Sequence, residues 1–247
     1  MDEIAMELFV KSAENERVKY RPIDDATPAA PQIYRRLRGM ILSMEIPPGA
    51  QLSESELGSA FGASRTPVRE ALTLLRELHL VVTRPNRGTF VTRLDPREVE
   101  QACFLRYSLE RSVAEHLCSE GMPSESKERL ERNLLRQDDI VAAEDFVEFQ
   151  TADDDFHMAL ADATGFPRAS ELLEREKIQM ERIRVFRLKE QGRIATLRNE
   201  HREIYDAILL RDETAACRIL KRHINSVLVG MDQLREAHSS FFRQDPV

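Results

Sequence analysis

The strongest constraint on the fold is a segment in which a basic helix start leads directly into a glycine-tipped hairpin. The predicted helix begins near Ser64, and the hairpin spans residues 84–91. The apolar face of the predicted helix, at helical spacing, comprises Val68, Ala71, Leu72, Leu75 and Leu78. Its opposite face carries Arg65, Arg69, Thr73 and Arg76. One side of the helix is therefore suited to packing, and the other is cationic.

The N-terminal end of this helix favours the binding of an anion. Either Ser64 or Thr66 can cap it, with Pro67 in or just before the first turn. In both cases the early arginines lie beside unpaired backbone N–H groups and the positive end of the helix dipole. A phosphate group suits such a position.

Two shorter helices are predicted before this one. The first has apolar positions from Ile33 to Met44 and must end at Pro47, and the second spans roughly residues 52–61. Three helices followed by a hairpin are typical of a winged helix-turn-helix, whose third helix enters the major groove. We assign this domain to residues 31–93 and interpret residues 1–30 as a flexible N-terminal arm.

Charge segregation supports binding of double-stranded DNA. Residues 31–93 contain nine arginines and five glutamates, a net charge of +4, whereas the whole chain carries −7. A charged outer face alone is ordinary for any surface helix. A basic module on an otherwise acidic chain is instead typical of nucleic-acid binding.

The remainder of the chain predicts a second, all-helical domain over residues 94–240, followed by a tail at residues 241–247. Six helices are expected, forming an antiparallel bundle. Their approximate spans are 95–120, 123–143, 146–163, 168–189, 194–210 and 212–238. The predicted fold class is therefore mainly α.

Polar residues interrupt the apolar stripes of three of these helices. Asp153 and His157 lie four residues apart on one stripe, and His201 and His223 each interrupt another. A single such histidine is more often a hydrogen-bonded core residue. Four such groups facing one interior are costly to bury without compensation, so together they predict a divalent metal site. Zn²⁺ is favoured, and Ni²⁺ or Mn²⁺ also fit these donors.

Arg106 interrupts the stripe of the first helix of the bundle in the same way. It can pair with a structural carboxylate such as Glu110, or it can bind the carboxylate of a ligand next to the metal. The sequence leaves both interpretations open.

Composition indicates where the protein acts. The chain has 247 residues and three cysteines, and it contains neither a basic leader nor an apolar run long enough for a membrane span. We therefore expect a cytoplasmic protein with reduced thiols and no membrane partner.

The residues also carry a resemblance to a known family. Tyr34–Leu42, Ser64–Leu72 and the wing at 87–91 resemble the head of GntR transcription regulators. The residues that this resemblance and the helix pattern assign to DNA contacts are Ser64, Arg65, Thr66, Arg69, Arg87 and Gly88. The helical part is similar to the ligand-binding FCD domain of the FadR-type branch, in its six-helix, VanR-like group. This likeness implies a cavity arginine at Arg106 and a metal site of three histidines and one aspartate.

The expected function is a metabolite-responsive regulator rather than an enzyme. It is expected to act as a homodimer on operator DNA, as a repressor released by a carboxylated small molecule. Two alternatives remain: a constitutive DNA binder with a structural metal, and a metalloenzyme fused to a DNA-binding head.

Overall fold

The computed structural model describes residues 23, 24 and 27–244, which form two compact units. The first unit contains the described residues up to Pro96 together with those from Asp232 onward, and the second is Arg97–Met231. Most of the predicted N-terminal arm, and the last three residues of the predicted tail, lie outside the described residues. The mainly α class is confirmed.

The first unit contains the predicted winged helix-turn-helix. Its helices are α1 (Ala29–Leu42), α2 (Glu54–Phe61) and α3 (Arg65–Glu77). Its strands are β1 (Gln51–Leu52), β2 (Val81–Arg84) and β3 (Gly88–Val91). Strand β3 lies between the other two and pairs antiparallel with both. Helix α3 and the β2–β3 hairpin are therefore the recognition helix and the wing of this domain.

The core of the head follows the predicted stripes. The buried side chains include Ile33, Leu37, Ile41, Leu57, Phe61, Val68, Ala71, Leu72 and Leu75. Local signals define α2 sharply: the Ser53 hydroxyl accepts the Glu56 N–H, and Gly62 ends the helix at a φ of +68°.

The second unit is a bundle of helices. They are α4 (Pro96–Glu120), α5 (Ser124–Ala143), α6 (Phe146–Asp162), α7 (Pro167–Glu176), α8 (Ile178–Arg187), α9 (Arg193–Leu209) and α10 (Glu213–Asn225). Helix α6 packs against α5 and α7, and α9 packs against α5, α6 and α10. The six predicted helical stretches are present, but the fourth is divided at Lys177 into α7 and α8. No glycine or proline marks that break in the sequence.

The C-terminal end of the bundle differs from the prediction. Helix α10 ends at Asn225, a 3₁₀ turn follows at Ser226–Leu228, and Gly230 adopts a φ of +74° that ends the helical path. A short helix α11 (Met231–Ala237) and a second 3₁₀ turn (Ser239–Phe241) come next.

The segment after Met231 packs in the first unit. Phe242 is buried there, and the Leu94 N–H donates to the Phe241 carbonyl at 2.9 Å. The Arg243 N–H in turn donates to the Leu94 carbonyl at 2.8 Å. The structure thus places the domain boundary near Met231 rather than after residue 240, because a buried aromatic residue and backbone pairing hold the C-terminal segment to the head.

Candidate DNA-binding surface and metal centre

The predicted DNA-contacting residues lie on two exposed parts of the first unit. Ser64, Arg65, Thr66 and Arg69 are exposed in the first turns of α3, and Arg87 and Gly88 are exposed at the tip of the wing. The surface is therefore free to meet DNA, and the individual contacts remain predictions.

The start of α3 resolves the choice between two capping residues. Ser64 is the cap position, with an extended backbone, and Arg65 is the first helical residue. The Ser64 side chain makes no capping hydrogen bond within the described residues. The first N–H groups of α3 are therefore left for an external acceptor such as a phosphate oxygen.

Two arginines of α3 are oriented by neighbouring side chains. Arg69 is 64% exposed, and its Nε donates to Glu54 Oε2 of α2 at 2.7 Å. This bond uses one edge of the guanidinium, and the two Nη groups have no partner among the described residues. Arg76 donates to Thr73 at 2.9 Å and to Thr83 of the wing at 3.3 Å, so it links the recognition helix to the wing.

Gly88 has a structural reason to be glycine. Its φ is +100°, and a Cβ at this position would lie 3.0 Å from Nε2 of Gln51. That Nε2 donates to the Arg87 carbonyl at 3.1 Å and so ties the wing to β1. Glycine is thus required by the wing backbone itself, in addition to any approach to a groove.

In the second unit, the four predicted metal ligands come together. One donor atom from each of Asp153, His157, His201 and His223 lies within 4.8 Å of all the others, and the four side chains are buried. Nε2 of His223 lies 3.1 Å from Nε2 of His157 and 3.3 Å from Nε2 of His201. Asp153 Oδ1 lies 3.4 Å from Nε2 of His201. Helices α6, α9 and α10 supply these groups.

Each histidine is oriented through its other ring nitrogen. Nδ1 of His157 lies 2.6 Å from Glu110 Oε2, and Nδ1 of His223 lies 2.9 Å from Glu200 Oε2. Since a carboxylate accepts, both rings carry a proton on Nδ1, and in a neutral ring Nε2 then holds the lone pair that can bind a metal. Such carboxylate–histidine pairs typically support a metal site.

His201 is oriented by an amide whose direction is itself fixed. Its Nδ1 lies 2.8 Å from Gln137 Oε1, and Gln137 Nε2 donates to Asn133 Oδ1 at 2.6 Å. Asn133 Nδ2 donates to the Ala152 carbonyl at 2.9 Å. The chain of donors identifies Oε1 as the acceptor, so His201 also presents an unprotonated Nε2.

Burial sets the charge state of the cluster. The ring of His201 stacks on Phe156 with centroids 4.4 Å apart, and burial lowers the pKa of His201 to about 3. Burial likewise lowers the pKa of His223. For Glu110, burial opposes ionisation, but the charge of Arg106 and the hydrogen bonds from Arg106 and His157 together outweigh burial and bring the pKa down to about 2. Neutral histidines held by ionised carboxylates are the states that metal coordination needs.

Asp153 is ionised for a related reason. Arg184 Nη2 donates to Asp153 Oδ2 at 2.7 Å. Burial raises the pKa of Asp153, but the charge of Arg184 and the interactions with His201 and His157 together outweigh burial and hold that pKa well below its usual range. The site thus offers one ionised carboxylate beside three imidazole rings.

These residues fit a divalent cation. Nε2 of His223 faces Nε2 of His157 at 3.1 Å and Nε2 of His201 at 3.3 Å, and rings that are neutral and protonated on Nδ1 would turn lone pairs toward one another there. A cation at their common centre would replace the repulsion between these lone pairs by coordination. A donor set of three imidazoles and one carboxylate suits Zn²⁺, and also Ni²⁺ or Mn²⁺.

Arg106 pairs with Glu110, as the first of the two interpretations expects, and its binding of a ligand carboxylate stays a prediction. Its Nε donates to Glu110 Oε1 at 2.5 Å in a fully buried ion pair. The same side chain lines a cavity together with Asp153 and His223. Arg106 is therefore a partner of Glu110 and a neighbour of the metal cluster at once.

The cavity beside the cluster has a volume of about 30 Å³. Its polar lining consists of Arg106, Asp153, Arg184, Arg187, Arg193, His223 and Ser226. Its apolar lining consists of Met180, Leu188, Leu197, Ile224 and Val227. This volume holds about two water molecules, so a metabolite can enter only if lining side chains move.

Several residues of the site were not predicted. Gln137 interrupts the buried stripe of α5 as His201 does that of α9, and Arg184 and Arg187 interrupt that of α8. The same search for polar residues on apolar stripes could have found these three. Glu200 as the partner of His223 had no such signal, because that contact joins two different helices.

The fold and the site define a class of protein. A winged helix-turn-helix with exposed arginines is joined to a helical domain that holds a polar cavity and a histidine cluster, the organisation of a one-component transcriptional regulator. Residues 29–91 match the profile of the bacterial regulatory proteins of the gntR family, and residues 101–226 match the FCD domain. The chain belongs to the GntR family, in the branch that carries an FCD domain.

Individual relatives agree with this assignment. An HTH-type transcriptional regulator in an unstable DNA locus of Streptomyces ambofaciens is 36% identical over 215 residues, which cover 86% of this chain and 89% of that protein. The HTH-type transcriptional repressor RspR of Escherichia coli K12 is 31% identical over 224 residues, covering 90% and 97%. The protein is therefore a DNA-binding transcriptional regulator and not an enzyme.

Solved structures show the same architecture. A GntR transcriptional regulator of Rhodococcus sp. RHA1 superimposes with a TM-score of 0.69 at 26% identity, over 84% of this chain and 99% of that one. E. coli McbR/YncC shares the fold, with a TM-score of 0.64 at 20% identity over 87% and 99%. Among the described residues, no helix has both the length and the apolar character that crossing a membrane requires.

Proposed function

We propose that the protein is a homodimeric repressor whose operator binding is relieved by a carboxylated metabolite bound beside a divalent metal in the FCD domain. The observation that carries the proposal is the position of the cavity. Arginines line it together with Asp153 and His223, two members of the metal cluster. One pocket therefore adjoins both kinds of group that bind a carboxylate, a metal and a guanidinium.

The metal has a defined role in this proposal. Asp153, His157, His201 and His223 hold it, and the ion supplies a positive centre that can ligate an effector carboxylate. Arg106 supplies a second positive group next to it, held in place by Glu110. Arg184 orients Asp153 from the other side. The pairs Arg106–Glu110 and Arg184–Asp153 hold the groups that would bind the carboxylate in place before a ligand arrives, which lowers the entropic cost of binding.

Operator release follows from linkage between two sites. A dimer presents two recognition helices to two half-sites of DNA, and their spacing must match the helical repeat. A metabolite that needs the lining side chains of the cavity to move binds preferentially to a different conformer of the protein. If that conformer fits the operator less well, metabolite and operator weaken each other's binding by the same factor.

A purely structural metal is the second candidate, because the cavity is small. With about 30 Å³ of space, the cluster could serve stability alone and leave a constitutive DNA binder. Removal of the metal distinguishes a structural site from an effector site. A structural site predicts a loss of thermal stability and no small-molecule response, whereas an effector site predicts that the response itself requires metal.

The test begins with selection of DNA sites from a random duplex library by the full-length protein. The selected duplex is then used in fluorescence anisotropy with the Zn²⁺-loaded and the metal-stripped protein, in the presence of a panel of carboxylic acids. The proposal predicts that at least one acid lowers operator affinity about tenfold or more, which corresponds to about 1.4 kcal/mol, and only with metal present. If the acids bind and leave operator affinity unchanged, the coupling is refuted.

A further inference from the structure

The four arginines of the cavity differ in how their charges are compensated. Arg106 pairs with Glu110, and Arg184 pairs with both Asp153 and Asp154, each of these two at 2.7 Å. These two guanidinium groups are neutralised by buried carboxylates. Each of them has a buried carboxylate partner before any ligand binds.

Arg187 and Arg193 are different. Arg187 ends α8 and pairs at 2.5 Å with Glu190, which is 39% exposed, so this pair is partly open to solvent. Arg193 begins α9 and donates to the neutral hydroxyl of Ser226. Within the part of the chain that the structure describes, Arg193 has no carboxylate partner, and the Nε atoms of Arg187 and Arg193 are buried without a hydrogen bond.

The pKa of Arg193 agrees with this difference in charge compensation. Burial and the neighbouring charge of Arg187 lower the pKa of Arg193 by more than the carboxylates of Glu200, Glu190 and Asp153 raise it. Of these carboxylates only that of Glu190 pairs directly with one of the two guanidinium groups, that of Arg187. Unpaired buried N–H donors are costly and rare in native proteins, and a bound anion would satisfy them.

We infer that Arg187 and Arg193 form a second anionic subsite in the cavity, so that the effector is a small acid with two anionic groups. One group meets the metal and Arg106, and the other meets the guanidinium groups of Arg187 and Arg193. The apolar lining, which includes Leu188, Leu197 and Val227, suits a short carbon chain between the two groups. This inference rests on the proposed function, because it assumes an effector at the metal.

The subsite also explains how such a small cavity admits a ligand. Arg187 and Arg193 are half-buried, and the bonds that hold them, to Glu190 and to Ser226, lie outside the metal cluster. A dianion can replace these bonds with bidentate contacts to both guanidinium groups. Ser226 belongs to the 3₁₀ turn after α10, so exchange of its bond to Arg193 changes contacts of the segment that leaves the bundle.

The experiment measures binding of matched acids to the full-length, Zn²⁺-loaded protein by calorimetry and thermal shift. The probes are malonate, succinate and glutarate, each paired with the monocarboxylate of equal chain length, namely propionate, butyrate and valerate. An additional arm with 2-phosphoglycolate and glycolate reports whether the second anion is a carboxylate or a phosphate. We expect at least one dianion to bind about tenfold or more tightly than its monoanion.

Variants of one helix, α9, provide the control. Arg193→Gln should remove the preference for the dianion and leave monoanion binding and zinc content unchanged, and Arg193→Lys should keep part of it. Arg202→Gln, which removes a charge paired with Glu131, should retain the full preference. Retention of the preference in Arg193→Gln would overturn the subsite.

The outcomes for the wild-type protein separate the two proposals. If monoanions bind and dianions bind no better, the second subsite is refuted while the proposed effector site stands. If neither series binds the zinc-loaded protein, the proposed carboxylate effector is refuted together with the subsite.

Discussion

Nε2 of His157 lies 3.1 Å from Nε2 of His223, while the Nδ1 atoms of both rings are held by carboxylates, those of Glu110 and Glu200. When both rings are neutral, two lone pairs therefore face each other in a buried site. The arrangement is unfavourable for the metal-free chain and favourable for coordination of a cation. The metal site proposed for the helical domain depends on this pair of histidines.

The supporting carboxylate should tune metal affinity. Glu110→Gln replaces the acceptor of His157 Nδ1–H by a neutral amide and leaves the buried Arg106 without its carboxylate. We expect Zn²⁺ affinity to fall roughly 10- to 100-fold, measured by competition with a chelating dye. Glu131→Gln, at an exposed pair with Arg202, serves as control and should bind like the wild type. Equal affinity in Glu110→Gln would show that this hydrogen bond does not support the site.

The metal-free protein should lose stability in mild acid. Folded His201 has a pKa of about 3, whereas an unfolded histidine protonates near its ordinary pKa of about 6.5. Between these values the unfolded chain binds more protons, so stability is complete above about pH 6.5 and declines as the pH falls. The free energy of unfolding should drop by up to about 1.4 kcal/mol per pH unit for this histidine.

Urea unfolding of the metal-stripped protein at several pH values between about 7.5 and about 5 measures this slope. In His201→Gln the free energy of unfolding should depend less steeply on pH, by the uptake of about one proton. An unchanged slope in that variant would contradict the assignment of a buried neutral imidazole at position 201.

Arg69 should carry operator recognition without supporting the fold. Because its side chain is 64% exposed and its Nη groups are unpartnered, Arg69→Ala should weaken specific DNA binding by about 1–3 kcal/mol, roughly 5- to 150-fold. Anisotropy with the selected duplex measures this loss, and thermal unfolding should change little. Arg132→Ala removes an exposed arginine of α5 and is the matched control. Wild-type affinity in Arg69→Ala would exclude a base contact.

The wing glycine should be more sensitive than another glycine of the same domain. Gly62→Ala imposes a φ of +68° on alanine with no heavy atom near the new Cβ, whereas Gly88→Ala adds a 3.0 Å contact with Gln51 to a φ of +100°. Each should destabilise the head by about 1 kcal/mol or more, and Gly88→Ala should cost more. Denaturant unfolding compares the two, and an equal loss would show that Gln51 gives way without cost.

The sequence predicted what depends on local pattern. The recognition helix, the wing and the four-residue cluster all followed from periodicity and from polar residues on apolar stripes, since Asp153 and His157 share one helix face. The residues that orient the histidines of the cluster were harder to predict. Gln137 meets His201 and Glu200 meets His223 only after α5, α9 and α10 have packed.

The end of the bundle escaped prediction for a different reason. The apolar pattern continues past Asn225, and Gly230 alone signals the break. That Phe242 would be buried in the head depends on the path of the chain after Met231, which periodicity does not encode. Arg187 and Arg193 likewise stand out only in the packed domain, where Glu190 pairs with Arg187 and Arg193 has no carboxylate partner among the described residues.

The most direct test of the metal-centred site is the zinc content of the His201→Ala variant. Wild-type protein and variant are dialysed against Zn²⁺, then against metal-free buffer, and analysed for metal per chain. His116→Ala is the control, because His116 is a half-buried histidine of the same domain whose ring lies tilted against that of Phe166. We predict about one equivalent in the wild type and in His116→Ala, and less than about a tenth in His201→Ala. A full equivalent in His201→Ala, or none in the wild type, would contradict the account.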